Sequence, residues 1–261
     1  MRLSFAMRIL VRLVGLSILV VGLVLGQDSK SVYRVPRTGD GHPDIQGIWR
    51  AHSTAAYNLE DHGASLGIPA GRSVIIDPVD RRIPYQPAAR KLREENFKNR
   101  QSVDPLGKCF LPGVPRLTYL PFPFQIFQTA DFVVIASEFA HTLRTIHFTG
   151  RHPEELELWM GDSRGRWEGE TLAVDVAAFN GDTWFDQSGN FHSDALHIVE
   201  RFTRTAADVL SYEVNIEDPK VFTQPWKIRV PLTLQKEQTQ LLEYECPVYL
   251  EDQQATGKEK K

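Results

Sequence analysis

The sequence contains few residues of the kinds that mark many functional sites. Its 261 residues include only two cysteines, Cys109 and Cys246, and neither lies in a pattern typical of a nucleophile. Charges of both signs are nearly balanced, with a formal net charge of −3. No run of lysine and arginine is dense enough to indicate a nucleic-acid surface, so we expect no nucleic-acid partner.

Several motifs that identify enzyme classes are also missing. We find no internal repeat and no glycine-rich nucleotide loop, and Ser193 lacks the Gly-x-Ser-x-Gly setting of a serine hydrolase. Without low-complexity segments, a purely structural envelope protein is the least favoured class. The sequence predicts no metal and no cofactor, because six histidines are scattered without metal-ligand spacing: His42, His52, His62, His141, His147 and His152.

The N-terminus has the layout of an export signal. Three arginines precede an apolar run over residues 13–25, which ends at Gly26, as in a secretory signal peptide. A bilayer span needs about 20 apolar residues, so cleavage near Gly26 is favoured over retention as an anchor. We therefore expect residues 1–26 to be a signal peptide, a periplasmic or secreted location, and no membrane span in the mature chain.

Both cysteines lie in the mature chain. In an exported protein an even count predicts one disulfide, which would join Cys109 in the proline-rich middle to Cys246 at the end of the last predicted strand. Two buried free thiols are the alternative.

Residues 27–261 are predicted to form one domain with three parts. Residues 27–57 are a polar leader and a first strand. Residues 58–130 are loop-rich, with one surface helix in QPAARKLREENFKNRQ and a proline-rich stretch after Cys109. Residues 131–250 are an antiparallel β core.

The predicted core alternates strand-like runs with short turns. Several strands at this spacing predict an all-β, mainly antiparallel fold, closed into a barrel or sandwich, with one surface helix and long proline-rich loops. The runs are DFVVIASEFA, TLRTIHF, TLAVDVAAF, LHIVERFTR, VLSYEVNIE, WKIRVPLTL and QLLEYEC.

Strand parity predicts which side chains face inward, because alternate residues of a strand point to opposite sides. Tyr212 shares an apolar face with its neighbours in VLSYEVNIE. Three charged residues also fall on apolar faces: Glu138 with Phe132, Val134 and Ala136; Arg144 with Ile146; and Glu200 with Ile198 and Phe202. Buried charges must pair, bind a ligand or meet water. An ion pair of Arg144 with a glutamate is one interpretation, and a ligand-contacting or catalytic role is the other.

The stretch GNFHSDALHIVERF (residues 189–202) concentrates polar groups. If the strand extends back to His192, then His192, Asp194 and Glu200 share parity, and a histidine with a carboxylate moves protons near neutral pH. Alternatively, His192, Ser193 and Asp194 cap a turn through local hydrogen bonds. Trp184, at a nearby loop tip, either covers the core or gates a pocket.

Two resemblances add to this interpretation. HPDIQGIWRA resembles the Gly-x-Trp opening strand of lipocalin-type barrels, with Gly47 and Trp49 in the motif, which implies a lipocalin-like barrel. Nearly the whole mature chain is similar to a large family of exported bacterial proteins without an assigned reaction, and departs from it at Glu170, where that family commonly has aspartate. The similar segments are DPLGKCFLPGVPR, WMGDSRGRWEGETLAVDVAAFN, NFHSDALHIVERF, IEDPKVFTQPW and LLEYEC.

Two functions follow as hypotheses. The first is a binding protein that holds one small apolar or amphipathic molecule inside a barrel, oriented by Arg144, Trp184 and Tyr212. The second is a cofactor-independent isomerase, cyclase, lyase or hydrolase in the same cavity. Its general base would be Glu138, His192, Asp194 or Glu200, with Arg144 stabilising negative charge. The sequence leaves the oligomeric state open.

Overall fold

Alternating apolar and polar residues build a β-barrel whose strands lie mostly after residue 123. The computed structural model describes residues 33–245, and from Val35 onward they belong to one compact unit. The strands in this part are β1 (Gly47–Ala51), β2 (Ile75–Asp77), β3 (Phe124–Gln128), β4 (Phe132–Ser137), β5 (Leu143–His147), β6 (Asp162–Glu168), β7 (Thr171–Ala177), β8 (His197–Ala206), β9 (Val209–Glu217) and β10 (Trp226–Leu234).

The barrel closes between its first and last strands. The strands are hydrogen-bonded in the order β1-β3-β4-β5-β6-β7-β8-β9-β10, and β1 also pairs with β10. β2 adds to the same edge of β10 outside this ring of nine strands. The predicted all-β barrel is therefore confirmed. It differs from a pure antiparallel meander because β5 and β6 run parallel, meeting at His147 and Arg164.

The two ends of the barrel are built differently. At one end, tight turns connect β3 to β4, β6 to β7 and β8 to β9. At the other end, which we call the capped end, β1, β2, β7 and β9 finish, and each is followed by a long connection. These connections are residues 52–74, 78–123, 178–196 and 218–225. Helix α1 (Pro87–Val103) lies in them, as predicted, with Pro87 in its first turn.

A short helix closes the capped end. Helix α2 (Arg116–Tyr119), which we call the plug helix, has all four of its residues buried. The Tyr119 hydroxyl donates to the carbonyl of Phe185 at 2.7 Å, so the plug helix is tied to the connection between β7 and β8. A 3₁₀ helix, Pro105–Lys108, joins α1 to this region.

The parity prediction holds on most strands. Tyr212 and Trp226 are fully buried, as are the apolar residues that share their faces, apart from the partly buried Leu234 at the end of β10. On β4 the predicted face was wrong: Val133 and Ile135 point inward, while Phe132 is 38% exposed. Both faces of FVVIA are apolar, so alternation alone does not distinguish them, and pairing of Ile135 with Ile126 on β3 sets the orientation.

Other elements also differ from the sequence prediction. QLLEYEC forms no strand within residues 240–245, where Tyr244 makes only an isolated bridge to Phe139. β3 was missed because prolines crowd its start, and β6 was missed because DSRGRWE is polar enough to resemble a turn. The predicted signal peptide and Cys246 lie outside the described residues. Within residues 33–245, no helix is long and apolar enough to cross a bilayer.

Candidate functional site

The barrel interior brings together Arg144, Glu200 and Tyr212. Nη1 of Arg144 lies 3.0 Å from Oε1 of Glu200, and Nη2 contacts Oε2. The Tyr212 hydroxyl donates to Oε1 of Glu200 at 2.6 Å. Nε and Nη2 of Arg144 both donate to the Ser163 hydroxyl at 3.0 Å. These groups are buried, so the structure shows the ion pair that parity offered as one interpretation.

The charges in this cluster hold one another in place. Burial alone would lower the pKa of Arg144, but the charge and hydrogen bond of Glu200 outweigh it and raise the pKa. Burial, followed by the negative charge of Glu200, raises the pKa of Tyr212 well above its ordinary value. Tyr212 therefore stays protonated and donates. Both oxygens of Glu200 are engaged, so the carboxylate is not poised to take a proton from a substrate.

Glu138 lies just beyond the end of β4 and is buried. Its Oε1 accepts from the Gln238 side chain at 2.7 Å and from the Leu242 backbone N–H at 2.8 Å. The carboxylate thereby holds residues 238–242 against the barrel. The structure does not bring Glu138 into the cluster around Arg144.

His192 is buried and held in one tautomer. A backbone carbonyl only accepts, so Nδ1 of His192 carries the proton that it shares with Ser193 O at 2.9 Å. Nε2 then accepts from the Thr183 hydroxyl at 2.7 Å. Burial lowers the pKa of His192, which favours this neutral form. The ring packs against Phe179 and Phe185, with centroid distances of 5.5 and 5.3 Å.

Asp194 does not join His192. It lies on the surface and accepts from Nζ of Lys220 at 2.7 Å, and that hydrogen bond lowers its pKa. Ser193 caps a turn: its hydroxyl accepts from the Ala195 N–H at 3.0 Å and donates to Asp218 at 2.9 Å. The His192–Asp194 pairing required for joint acid–base work is therefore not brought together, because the strand begins only at His197.

Trp184 covers the core at the capped end. It is 9% exposed and pairs with Phe191 in an isolated bridge, so it belongs to the packed connection between β7 and β8. Of the two roles considered for Trp184, covering the core or gating a pocket, its burial favours the first.

Asp186 is a buried group that the sequence analysis missed. Its oxygens accept from the backbone N–H groups of Leu59 at 2.9 Å and Ser188 at 2.9 Å, and from the Asn190 side chain at 2.6 Å. Burial raises its pKa to about 6, although these hydrogen bonds oppose the rise. The signal was present in the sequence, because aspartate followed by Ser, Gly and Asn is typical of a side-chain-capped turn.

Two further histidines, His152 and His197, share an aspartate on the outer surface of the barrel. His152 bridges Asp162 at 2.8 Å and Asp175 at 2.7 Å, and His197 also contacts Asp175. Partial burial raises the pKa of Asp175, but hydrogen bonds from both histidines outweigh it and lower the pKa. Among residues 33–245 no group of three or more histidine, cysteine or acidic side chains is arranged to hold a metal ion.

A cavity of about 350 Å³ lies at the capped end, beside the plug helix. We call it the mouth cavity. Phe122, Phe139 and Tyr244 form an aromatic wall, with ring centroids of Phe122 and Tyr244 4.4 Å apart. Arg116 lines it and is 2% exposed. None of Arg144, Trp184, Tyr212 and the four predicted catalytic residues lines this cavity.

The guanidinium of Arg116 is held by one carboxylate. Nη1 and Nη2 donate to the two oxygens of Asp104 at 2.9 and 2.8 Å, a bidentate geometry that fixes the plane of the guanidinium. Nε of Arg116 is buried and has no acceptor among the described residues. The mouth cavity therefore combines an aromatic wall with the Arg116–Asp104 ion pair and with Arg100.

Comparison with known proteins adds no assignment. No protein-family model, no curated protein and no solved structure matches this chain.

Proposed function

We propose that this is an exported binding protein that holds one small apolar or amphipathic molecule in the mouth cavity. The observation that carries the proposal is the combination of Phe122, Phe139 and Tyr244 with the buried Arg116 at one end of a closed barrel. Export rests on the N-terminal sequence and on the resemblance to exported bacterial proteins.

The chemistry of the mouth cavity suits an amphipathic ligand. Small-molecule sites have volumes of roughly 300–1,000 Å³, mainly apolar walls and few polar groups, and they often lie in the mouths of β-barrels. Asp104 balances the charge of Arg116, and Arg100, which also lines the cavity, already donates to the carbonyls of Phe97 and Leu66. A polar end of the ligand would lie beside these groups, with apolar atoms against the aromatic rings.

The barrel interior is the less favoured place for the ligand. The polar groups around Arg144 already have partners, and the plug helix is packed into the capped end. A molecule in the interior would have to displace both. The mouth cavity needs no such change.

The acid–base enzyme receives less support than the binding protein. Glu200 is engaged by Arg144 and Tyr212, and His192 is separated from Asp194 by the turn that Ser193 caps. No pair of predicted catalytic groups meets at an open cavity among the described residues.

A cavity-filling variant tests the proposal. Gly107 lines the mouth cavity, and a side-chain carbon added there meets no atom within 4 Å. Gly107→Phe should therefore place a large ring at the edge of the cavity without a steric clash. Gly39→Phe is the matched control, because Gly39 also has open space around it and does not line the cavity.

The readout is titration with Nile red, an uncharged apolar dye whose emission rises in an apolar site. We expect saturable binding to the wild type and to Gly39→Phe, and affinity at least tenfold weaker for Gly107→Phe. Equal affinity of all three proteins, or no saturable binding to the wild type, would contradict the proposal.

A further inference from the structure

A second, larger cavity runs along the outer wall of the barrel. It has a volume of about 940 Å³, and we call it the outer groove. It lies where the edge of β10 changes partners, from β2 at Ile228 to β1 at Leu232. Between these positions Arg229 donates its backbone N–H to Val74 O at 2.9 Å, and Pro231 has no N–H to offer.

The charge of the outer groove has one sign. Four arginines line it, together with His52, and no aspartate or glutamate does. The four are Arg50, Arg72, Arg81 and Arg229. They come from three separate parts of the chain: β1, the segments flanking β2, and β10.

Three of these arginines have no partner among residues 33–245. Arg229 is paired with Glu213, at 2.7 Å from its Nη2. The side chains of Arg50, Arg72 and Arg81 make no hydrogen bond or ion pair with any other described residue. Nε of Arg50 is also shielded from solvent. Like charges that converge without counter-charges repel one another, and a bound anion would relieve that repulsion.

The rest of the outer groove is apolar or carries hydroxyl groups. Val209 and Pro231 form apolar surface, and Ile76 is 38% exposed beside them. Ser211 and Thr205 add hydroxyl donors. An inorganic anion would use only the arginines, whereas an anionic group on an apolar body would use both kinds of surface.

We propose that the outer groove binds a small amphipathic anion. Its carboxylate or phosphate group is held by Arg50, Arg72 and Arg81, and its apolar body lies on Ile76 and the neighbouring apolar residues. This site is separate from the mouth cavity, with which it shares only Pro121 among its lining residues.

The proposal is tested by calorimetric titration of the mature protein. The titrants are laurate, dodecyl phosphate and uncharged dodecanol. The chain offers a matched pair of variants, since Arg81 lines the groove and the adjacent, exposed Arg82 does not. Both substitutions by glutamine remove one positive charge from the same loop. Arg50→Gln is a second variant inside the groove.

We expect laurate or dodecyl phosphate to bind at least tenfold more tightly than dodecanol. Arg81→Gln and Arg50→Gln should each weaken binding of the anion roughly tenfold, as expected for loss of a hydrogen bond to a charged group, and Arg82→Gln should leave it unchanged. Added salt should weaken binding of the anion but not of dodecanol.

The proposal would be overturned if laurate and dodecanol bound with equal affinity, if Arg81→Gln and Arg82→Gln weakened binding equally, or if neither anion bound. Loss of laurate binding in Gly107→Phe, with Arg81→Gln unaffected, would also overturn it, and would place the ligand in the mouth cavity. Failure of Nile red to bind, with laurate binding intact, would reject only the mouth cavity.

Discussion

Arg144 on β5 and Glu200 on β8 form a bidentate ion pair across the barrel interior, with Nη1 3.0 Å from Oε1. Two other strands, β6 and β7, separate β5 from β8 in the sheet. The pair therefore links two sides of the wall, and Tyr212 on β9 adds a third contact. These polar groups occupy interior space that a barrel used as a carrier would leave to its ligand.

Removing one partner of this pair should destabilise the fold strongly. In Glu200→Gln the guanidinium of Arg144 stays buried without a counter-charge, and we expect the free energy of unfolding to fall by about 3–5 kcal/mol. A carrier that used Glu200 only for its ligand would tolerate the change. Urea denaturation of the wild type and variant measures the difference.

Two further variants distinguish the cost of an unpaired buried charge from the cost of losing an ion pair. Arg144→Met combined with Glu200→Leu should recover part of the lost stability, because no unpaired charge stays buried, while the hydroxyls of Tyr212 and Ser163 lose these partners. Glu213→Gln, which breaks the exposed pair with Arg229, should cost less than about 1 kcal/mol. A change below 1 kcal/mol for Glu200→Gln would contradict a structural role.

Asp186 should make stability decrease as the pH rises from about 4 to about 6. Its pKa is raised from 3.8 to about 6 by burial, so in this window the folded state binds more protons than the unfolded state. By linkage the shift corresponds to about 3 kcal/mol, present below pH 4 and lost as the pH rises through 6. Asp186→Asn should remove this component, and the exposed Asp194→Asn should not.

The quantity to measure is the stability difference between the wild type and Asp186→Asn across pH. It should favour the wild type progressively as the pH falls from about 6 to about 4. A difference that stays constant with pH would show that Asp186 is ionised in the folded protein throughout this range.

His192 should make the protein less stable, rather than more stable, as the pH falls below about 6.5. Burial lowers its pKa below 6.5, so below about pH 6.5 the unfolded state takes up a proton that the folded state resists, and stability falls. His192→Gln should flatten this fall relative to the wild type, while His197→Gln, which changes a half-exposed ring, should not. If the fall is equally steep in His192→Gln, the ring is protonated in the folded protein.

The predicted disulfide between Cys109 and Cys246 has a direct chemical test. Protein purified from an oxidising compartment should show no reactive thiol under denaturing conditions, and reduction should add the mass of two hydrogens. Cys246→Ser should lower the free energy of unfolding by about 2–5 kcal/mol. Two titratable thiols in the unreduced protein would support the alternative of free cysteines.

Strand parity anticipated Glu200 because its neighbours on the same face of β8, Ile198 and Phe202, are apolar. Glu200 stands between Ile198 and Phe202, which are both buried, so its side chain points into the barrel as well. β4 has two apolar faces, so the same rule chose the wrong one. The pairing of Ile135 with Ile126 is information that β4 alone does not contain.

The mouth cavity and the outer groove could not be predicted from the sequence, for a different reason. Arg116 and Tyr244 line one cavity, and Arg50 and Arg81 line the other, only after the long connections fold over the barrel. Local patterning fixes which face of an element is apolar, but it carries little information on which distant loops converge. His192 shows the same limit, since its partner Thr183 lies across a loop rather than along a strand.

Native mass spectrometry of the mature protein purified from a periplasm, compared with its denatured mass and with Gly107→Phe, shows whether a ligand occupies the mouth cavity. We expect the wild type to retain a small molecule of defined mass and Gly107→Phe to lack it, although the variant folds with unchanged stability. Retention of the same molecule by Gly107→Phe would contradict a ligand in the mouth cavity.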